Sequence, residues 1–295
     1  MSRPGNQSRA SLIQLYEAFV AARTEESRRS CAKMDRAGFA RVRALAARGI
    51  TTLRHLAVAL PHLPPTLRDF GIWWISVNRF RSAEKVLLHL LHDDPKRRLG
   101  YAAALASIGG RKSEREFIRI ARKHLVSLSP DLEWLDAVIQ GLKFPETAEA
   151  EEILLSIFES KSLPGWLRGN AGDAMSICSR LDDRRTTFFR RALRSAAEGL
   201  MEDDIDRQFW SMFVIATAAG NCSSNPNRSN LCFESILPRL REIAATDQRL
   251  APGFWWPMSA EAEDAICVVQ TGNWPELDAG DRWRVTSARG TLRHL

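Results

Sequence analysis

Pro64, Pro95, Pro130 and Pro164 each open a helix-like run, and the spacings between them are 31, 35 and 34 residues. A very small residue follows each proline seven positions later: Gly71, Ala102, Ala137 and Ala171. A period in this range marks stacked helical units, because one helical pair leaves an apolar face that only a neighbouring pair can cover. Proline suits the first helical turn, where its missing N–H has no partner to lose. The small residue leaves room for another helix to come close. Ser82–Lys123 shows the unit most plainly: a helix from Ala83 to His92, a break at Asp93-Asp94-Pro95, a helix ending at Ile108, the turn Gly109-Gly110, and a third helix.

The same pattern, followed outward, assigns helices to most of the chain. The proline-headed ones cover Pro65 to Val77, Pro95 to Ile108, Pro130 to Leu142 and Pro164 to Ser179. Their partners cover Ala83 to His92, Ser113 to Leu128, Thr147 to Ser160 and Arg184 to Glu198. A fifth pair without proline spans Asp203 to Ala219 and Leu231 to Ala245. Ahead of them, Leu12, Tyr16 and Phe19 recur at helical spacing, a second helix runs to Gly49, and Thr51 to Leu60 forms a third. After Thr246 the signal weakens to one helix, Ser259 to Val269, and a tail. The expected organisation is an N-terminal basic helical cap with the first repeat helix over 1–62, a repeat array over 63–245, and a C-terminal cap and tail over 246–295.

Ala83-Glu84-Lys85-Val86-Leu87-Leu88-His89-Leu90-Leu91, then Asp94-Pro95-Lys96-Arg97-Arg98 and Ala102 to Gly109, resembles a HEAT repeat of the short type found in phycobilisome-lyase-like proteins. Leu163-Pro164-Gly165-Trp166-Leu167-Arg168-Gly169-Asn170-Ala171 resembles the same motif, with Arg168 at the family's arginine position. The resemblance covers Thr51 to Ala245 and weakens around Pro130 and in the fifth pair. It implies an all-α fold, an α-solenoid of about five HEAT-like helical hairpins with helical caps. Such a fold presents a concave face lined by one helix of each pair, and that face usually binds a partner.

The partner helices, taken as the inner ones, alternate in charge. Arg115, Arg119 and Arg122 project from one, Glu149 and Glu152 from the next, and Arg184, Arg191 and Arg194 from the third. A groove for nucleic-acid backbone would be positive throughout, since affinity grows with each phosphate neutralised. Mixed potentials suit a protein partner, where they fix register. These eight residues are therefore the expected partner-binding face of a non-enzymatic adaptor, for which a bacterial immunity or defence-accessory role is an analogy. The alternative is a nucleic-acid-binding HEAT-like protein, including a base-excision DNA glycosylase in which Trp134 with Asp136, or Trp166 near Asp173, would act. A chromophore-transfer role is a weaker third.

The chain carries 42 Lys and Arg against 35 Asp and Glu, and the whole excess of +7 lies in residues 1–60. No Gly-x-Ser-x-Gly, His-Glu-x-x-His or phosphate-binding glycine loop occurs, so no catalytic residue, metal or cofactor is assigned. His89 and His92 beside Asp93 are the nearest approach to a metal motif. No secretion-type hydrophobic run opens the chain, which gives the expectation of a cytoplasmic protein without a membrane partner. The repeat register is testable directly. Ala102→Asp sets an unpaired charge at a predicted close helix contact, and thermal melting should show destabilisation by about 3 kcal/mol or more.

Overall fold

The computed structural model describes residues 10–177, 186–221, 233–253 and 256–275, and these residues form helices and no named strand. The helices are α1 (Leu12–Ala21), α2 (Glu25–Ala46), α3 (Leu53–Ala59), α4 (Pro65–Val77), α5 (Glu84–Asp93), α6 (Arg98–Ile108) and α7 (Arg111–Leu125). They continue as α8 (Leu132–Gly141), α9 (Ala148–Glu159), α10 (Gly165–Ile177), α11 (Thr186–Gly199), α12 (Ile205–Asn221), α13 (Leu237–Thr246) and α14 (Met258–Thr271). The protein is all-α, and the chain divides into two compact units, Met1–Ser113 and Glu114–Leu295. Among the described residues no helix is long and apolar enough to cross a membrane.

Helix boundaries follow short-range signals. Ser11, Thr24, Thr52, Asp131 and Thr147 cap the helices that follow them, each accepting from the backbone N–H three residues on. Gly109 turns the chain out of α6 at φ 61°, and Gly272 ends α14 at φ 77°, both backbone angles that a side chain disfavours. Pro95 opens a short 3₁₀ turn, Pro95–Arg97, which runs on into α6. The loop 221–230 lies largely outside the described residues.

The small residues occupy the positions their spacing predicts. Ala102, Ala137 and Ala171 have no exposed surface, and Gly71 is buried with Leu60 and Leu56 against it. A Cβ on Gly71 would lie 2.8 Å from a Leu60 methyl, so this helix contact leaves no space for alanine without movement. One aspect of the pairing differs from the sequence pattern, which couples each proline-headed helix to the helix after it. In the structure the helical hairpins instead join a helix to the one before it, across the turn: α5 with α6, α9 with α10, α11 with α12 and α13 with α14. In the first unit α4 also packs on α6. In the second, α8, α10, α12 and α14 form a continuous row, while α9 touches α11 more loosely.

Arginine ties successive turns together. Arg68 stands four residues after Pro64, and Arg168 four after Pro164. Arg68 donates back to the carbonyls of Pro61 (2.7 Å) and Leu63 (3.1 Å) and forward to Asp94 (2.8 Å), which stands just ahead of the Pro95–Arg97 turn. Arg168 donates back to the Phe158 carbonyl (3.2 Å) and forward to both carboxylate oxygens of Glu202 (3.1 and 2.9 Å). In the fifth pair Gln208 takes this position. Its amide donates to the Glu202 carbonyl (2.5 Å), and its oxygen accepts from Arg249 (2.6 Å), so the same link is made with the forward polarity reversed. A planar donor fork suits the task because it reaches a carbonyl and a carboxylate at once.

Glutamates make a second series of links at the heads of the partner helices. Glu84, first residue of α5, accepts from the Ser113 N–H at 3.0 Å in the first unit. Glu114 accepts from the Glu146 N–H and the Thr147 hydroxyl, both at 2.6 Å, in the second. Each carboxylate so placed satisfies donors at or just ahead of the next helix and meets the positive end of its dipole. Gly110 is part of this arrangement, since a Cβ there would fall 2.2 Å from the Glu84 carboxylate.

Burial raises the pKa of Asp94, but hydrogen bonds from Arg68, Tyr101 and Arg97 outweigh it, and the carboxyl is held below its ordinary range. The Arg168 link is the most enclosed, with 4% of its side chain exposed. Arg168→Met should lower stability by about 3 kcal/mol, because the Phe158 carbonyl and Glu202 lose their charged donor. Arg122→Met, which removes an exposed pair, should cost less than about 1 kcal/mol in the same urea titration.

Candidate functional site

The charged residues singled out by sequence stand on the partner helices of the second unit. Arg115, Arg119 and Arg122 lie on α7, Glu149 and Glu152 on α9, and Arg191 and Arg194 on α11, all exposed. Arg184 lies outside the described residues. The structure joins most of them to one another. Arg122 pairs with Glu149, and Arg191 Nη1 meets both oxygens of Glu152 at 2.7 and 2.6 Å. Arg119 pairs within its own helix with Glu116, at 2.9 and 2.6 Å. The result is a ladder of ion pairs from α7 through α9 to α11. Arg115 and Arg194 make no ion pair among the described residues.

The glutamates of α9 therefore face arginines on both sides, Glu149 meeting Arg122 and Glu152 meeting Arg191, so part of the charge on the three helices is spent in pairs. Pairs with half-exposed side chains are well screened and add little to stability. They do fix where each charge sits, and they reduce the number of arginines free to neutralise phosphates. Burial pushes the Glu159 carboxyl up at the end of α9, opposed by Arg191 and reinforced by Glu198 and Glu152.

A second polar cluster lies between α8 and α10. Asp136 accepts from Asn170 Nδ2 at 3.1 Å and from Gln140, and Lys143 Nζ lies 3.3 Å from Asp173. Asp136 and Gln140 share one face of α8, Lys143 follows just beyond its end, and Asn170 and Asp173 share one face of α10. These are the carboxylates that the base-excision alternative would use. Both are engaged by neighbouring side chains, while Trp166 is 42% exposed at the head of α10. Sequence alone signals each carboxylate but not the lysine and amides that hold it.

Of the other candidates, His89 Nε2 lies 3.0 Å from Asp93 in an exposed pair. Among the described residues no group of three His, Cys, Asp or Glu side chains is disposed to hold a metal. Trp74 is fully buried and its neighbour Trp73 is 39% exposed, as adjacent helical positions require. No protein-family model, curated protein or solved structure matches the chain.

Burial pushes the Asp173 carboxyl up to about 6, with the Lys143 charge and hydrogen bond pulling it down. The folded state thus holds a proton that the unfolded state, near 3.8, has already released. Stability from this group is present at low pH and is lost as pH rises through about 6. The urea midpoint difference between the protein and Asp173→Asn should therefore vary with pH over this interval, by up to about 3 kcal/mol in free energy. A pH-independent difference would assign the ionisation elsewhere.

Proposed function

We propose that this chain is a HEAT-like helical-repeat scaffold without catalytic function that binds another protein through the charged α7–α9–α11 band. The observation that carries this reading is the ion-pair ladder. A surface that holds its charges in fixed alternating positions rewards a partner of matching pattern and rejects others, which is how electrostatics confers specificity at protein interfaces. Arg115 and Arg194, unpaired among the described residues at the two flanks, are the charges available to a partner's carboxylates.

The α-solenoid architecture is part of the same proposal. Its support is that the long polar links within each unit join one turn to the next: Arg68 to Asp94, Arg168 to Glu202, Gln208 to Arg249. Nearest-neighbour contact of this kind is what a stacked array produces. The row α8–α10–α12–α14 packs more closely than α9 on α11, and closer spacing belongs on the tighter side of a curved stack. We therefore assign the charged band to the broader side, rather than to the concave side that the charge pattern first suggested.

Self-compensation in the band favours protein over nucleic acid as its partner, since arginines already facing glutamates release few counterions from DNA or RNA. Affinity purification of the tagged protein from its host, with and without nuclease, tests the reading. A stoichiometric protein should survive nuclease and be lost from Arg115→Glu/Arg194→Glu. Its retention should change less than tenfold between low and moderate salt. Recovery of no stoichiometric protein after nuclease, or undiminished recovery of one with Arg115→Glu/Arg194→Glu, would overturn it.

A further inference from the structure

The N-terminal unit contains a cleft of about 720 Å³ between α2 and α4, floored by Tyr16 of α1. One wall is Lys33, Met34, Ala37, Gly38 and Arg41, and the other is Thr66, Asp69, Phe70 and Trp73. The cleft has a structural origin: a Cβ on Gly38 would lie 1.7 Å from the Tyr16 hydroxyl, so glycine lets the phenol lie flush against α2. Burial and the neighbouring Asp35 raise the Tyr16 pKa, with Arg23 and Arg41 opposing, so the phenol stays neutral. Phe70 and Trp73 sit 5.6 Å apart, and Phe19 meets the Trp73 ring edge-on at 5.7 Å. Trp73 is thus held by aromatic neighbours and still exposes 39% of its surface.

The charges around this floor are unbalanced, unlike those of the α7–α9–α11 band. Both acids in the lining are occupied, Asp35 by Arg23 at 2.7 Å and Asp69 by Arg97 at 2.5 Å. Lys33 and Arg41 make no ion pair among the described residues, and Arg41 lies over the Phe70 ring at 5.9 Å. Arg36 and Arg43 add further exposed cations without an ion pair on α2, and Arg48 follows just after its end. This helix belongs to the stretch that holds the chain's entire +7 excess.

We infer that the cleft binds single-stranded nucleic acid, with an unpaired base stacked on Trp73, which Phe70 and Phe19 hold in place, and the flanking phosphates met by Lys33 and Arg41. An aromatic platform beside an uncompensated basic track is the chemistry by which single strands are held without reading sequence. A duplex keeps its bases stacked inside and cannot offer one to the platform. This inference does not rest on the charged band of the second unit, and either can fail without the other.

The test is fluorescence anisotropy with a labelled oligothymidylate of about a dozen nucleotides, against a duplex of the same length. The full-length protein should bind the single strand more tightly than the duplex, with affinity falling by orders of magnitude from low to moderate salt. Lys33→Glu/Arg41→Glu should weaken single-strand binding at least about tenfold, and so should Trp73→Ala, while Trp73→Phe should retain most of the affinity because the platform persists. Circular dichroism checks that each variant folds, and the Phe variant keeps the test valid if the Ala variant does not. Three results would overturn the inference: no binding at low salt, equal affinity for duplex with no loss on changing Lys33 and Arg41, or equal weakening by Arg191→Glu in the second unit.

Discussion

Close approach between proline-headed helices is the constraint from which the rest of each unit follows. A helix that packs on its hairpin partner and on the next helix of its own row has little room at the middle of the contact. Gly71 in the first unit lies against Leu56 and Leu60, and Ala137 and Ala171 in the second are fully buried, so small residues stand where the interior is closed on all sides. Helices brought so near carry their turns with them, and turns hold backbone carbonyls that lack helical partners. Arg68, Arg168 and Gln208 supply those partners, and each also reaches forward to a side chain further along the chain, Asp94, Glu202 and Arg249 respectively. Packing and polar satisfaction are therefore two sides of one arrangement.

Charge is handled in two opposite ways along the chain. In the second unit the glutamates of α9 stand within reach of arginines from α7 and α11, and the band closes on itself. In the first unit the two acids lining the cleft, Asp35 and Asp69, are taken by Arg23 and Arg97, and Lys33 and Arg41 of α2 make no ion pair among the described residues. Counting residues would describe both surfaces as arginine-rich. They differ in the free charge they present, and hence in the partner each can attract: a patterned protein surface in one case, a polyanion in the other.

Buried ionisable groups follow the same logic. Asp94 is held low because Arg68, Tyr101 and Arg97 all donate to it, outweighing its burial. Asp173 is held high because a single lysine does not offset its burial. The two aspartates have similar signals in sequence, one beside a proline and one on a helix face. What marks Asp94 is a donor delivered by the fold, Arg68 of an earlier helix, added to Arg97 and Tyr101 of the segment that follows it.

Much of the fold was legible beforehand because its signals act within a few residues. Proline at a first turn, Gly109 at a helix end, and Thr147 as a cap set the helices to within a few positions, and the seven-residue offset located the tight contacts. The exposed arginines and glutamates were also identified, as surface positions of amphipathic helices. Their pairing was not, nor was the hairpin phase, the Lys143–Asp173 contact or the cleft floored by Tyr16. Those depend on which helix lies beside which and at what rotation, and residues some 30 apart meet only through the sum of all intervening packing. Sequence determined where this chain is helical and where it must be small; only the tertiary structure decided which of its charges are spent on one another and which remain for a partner.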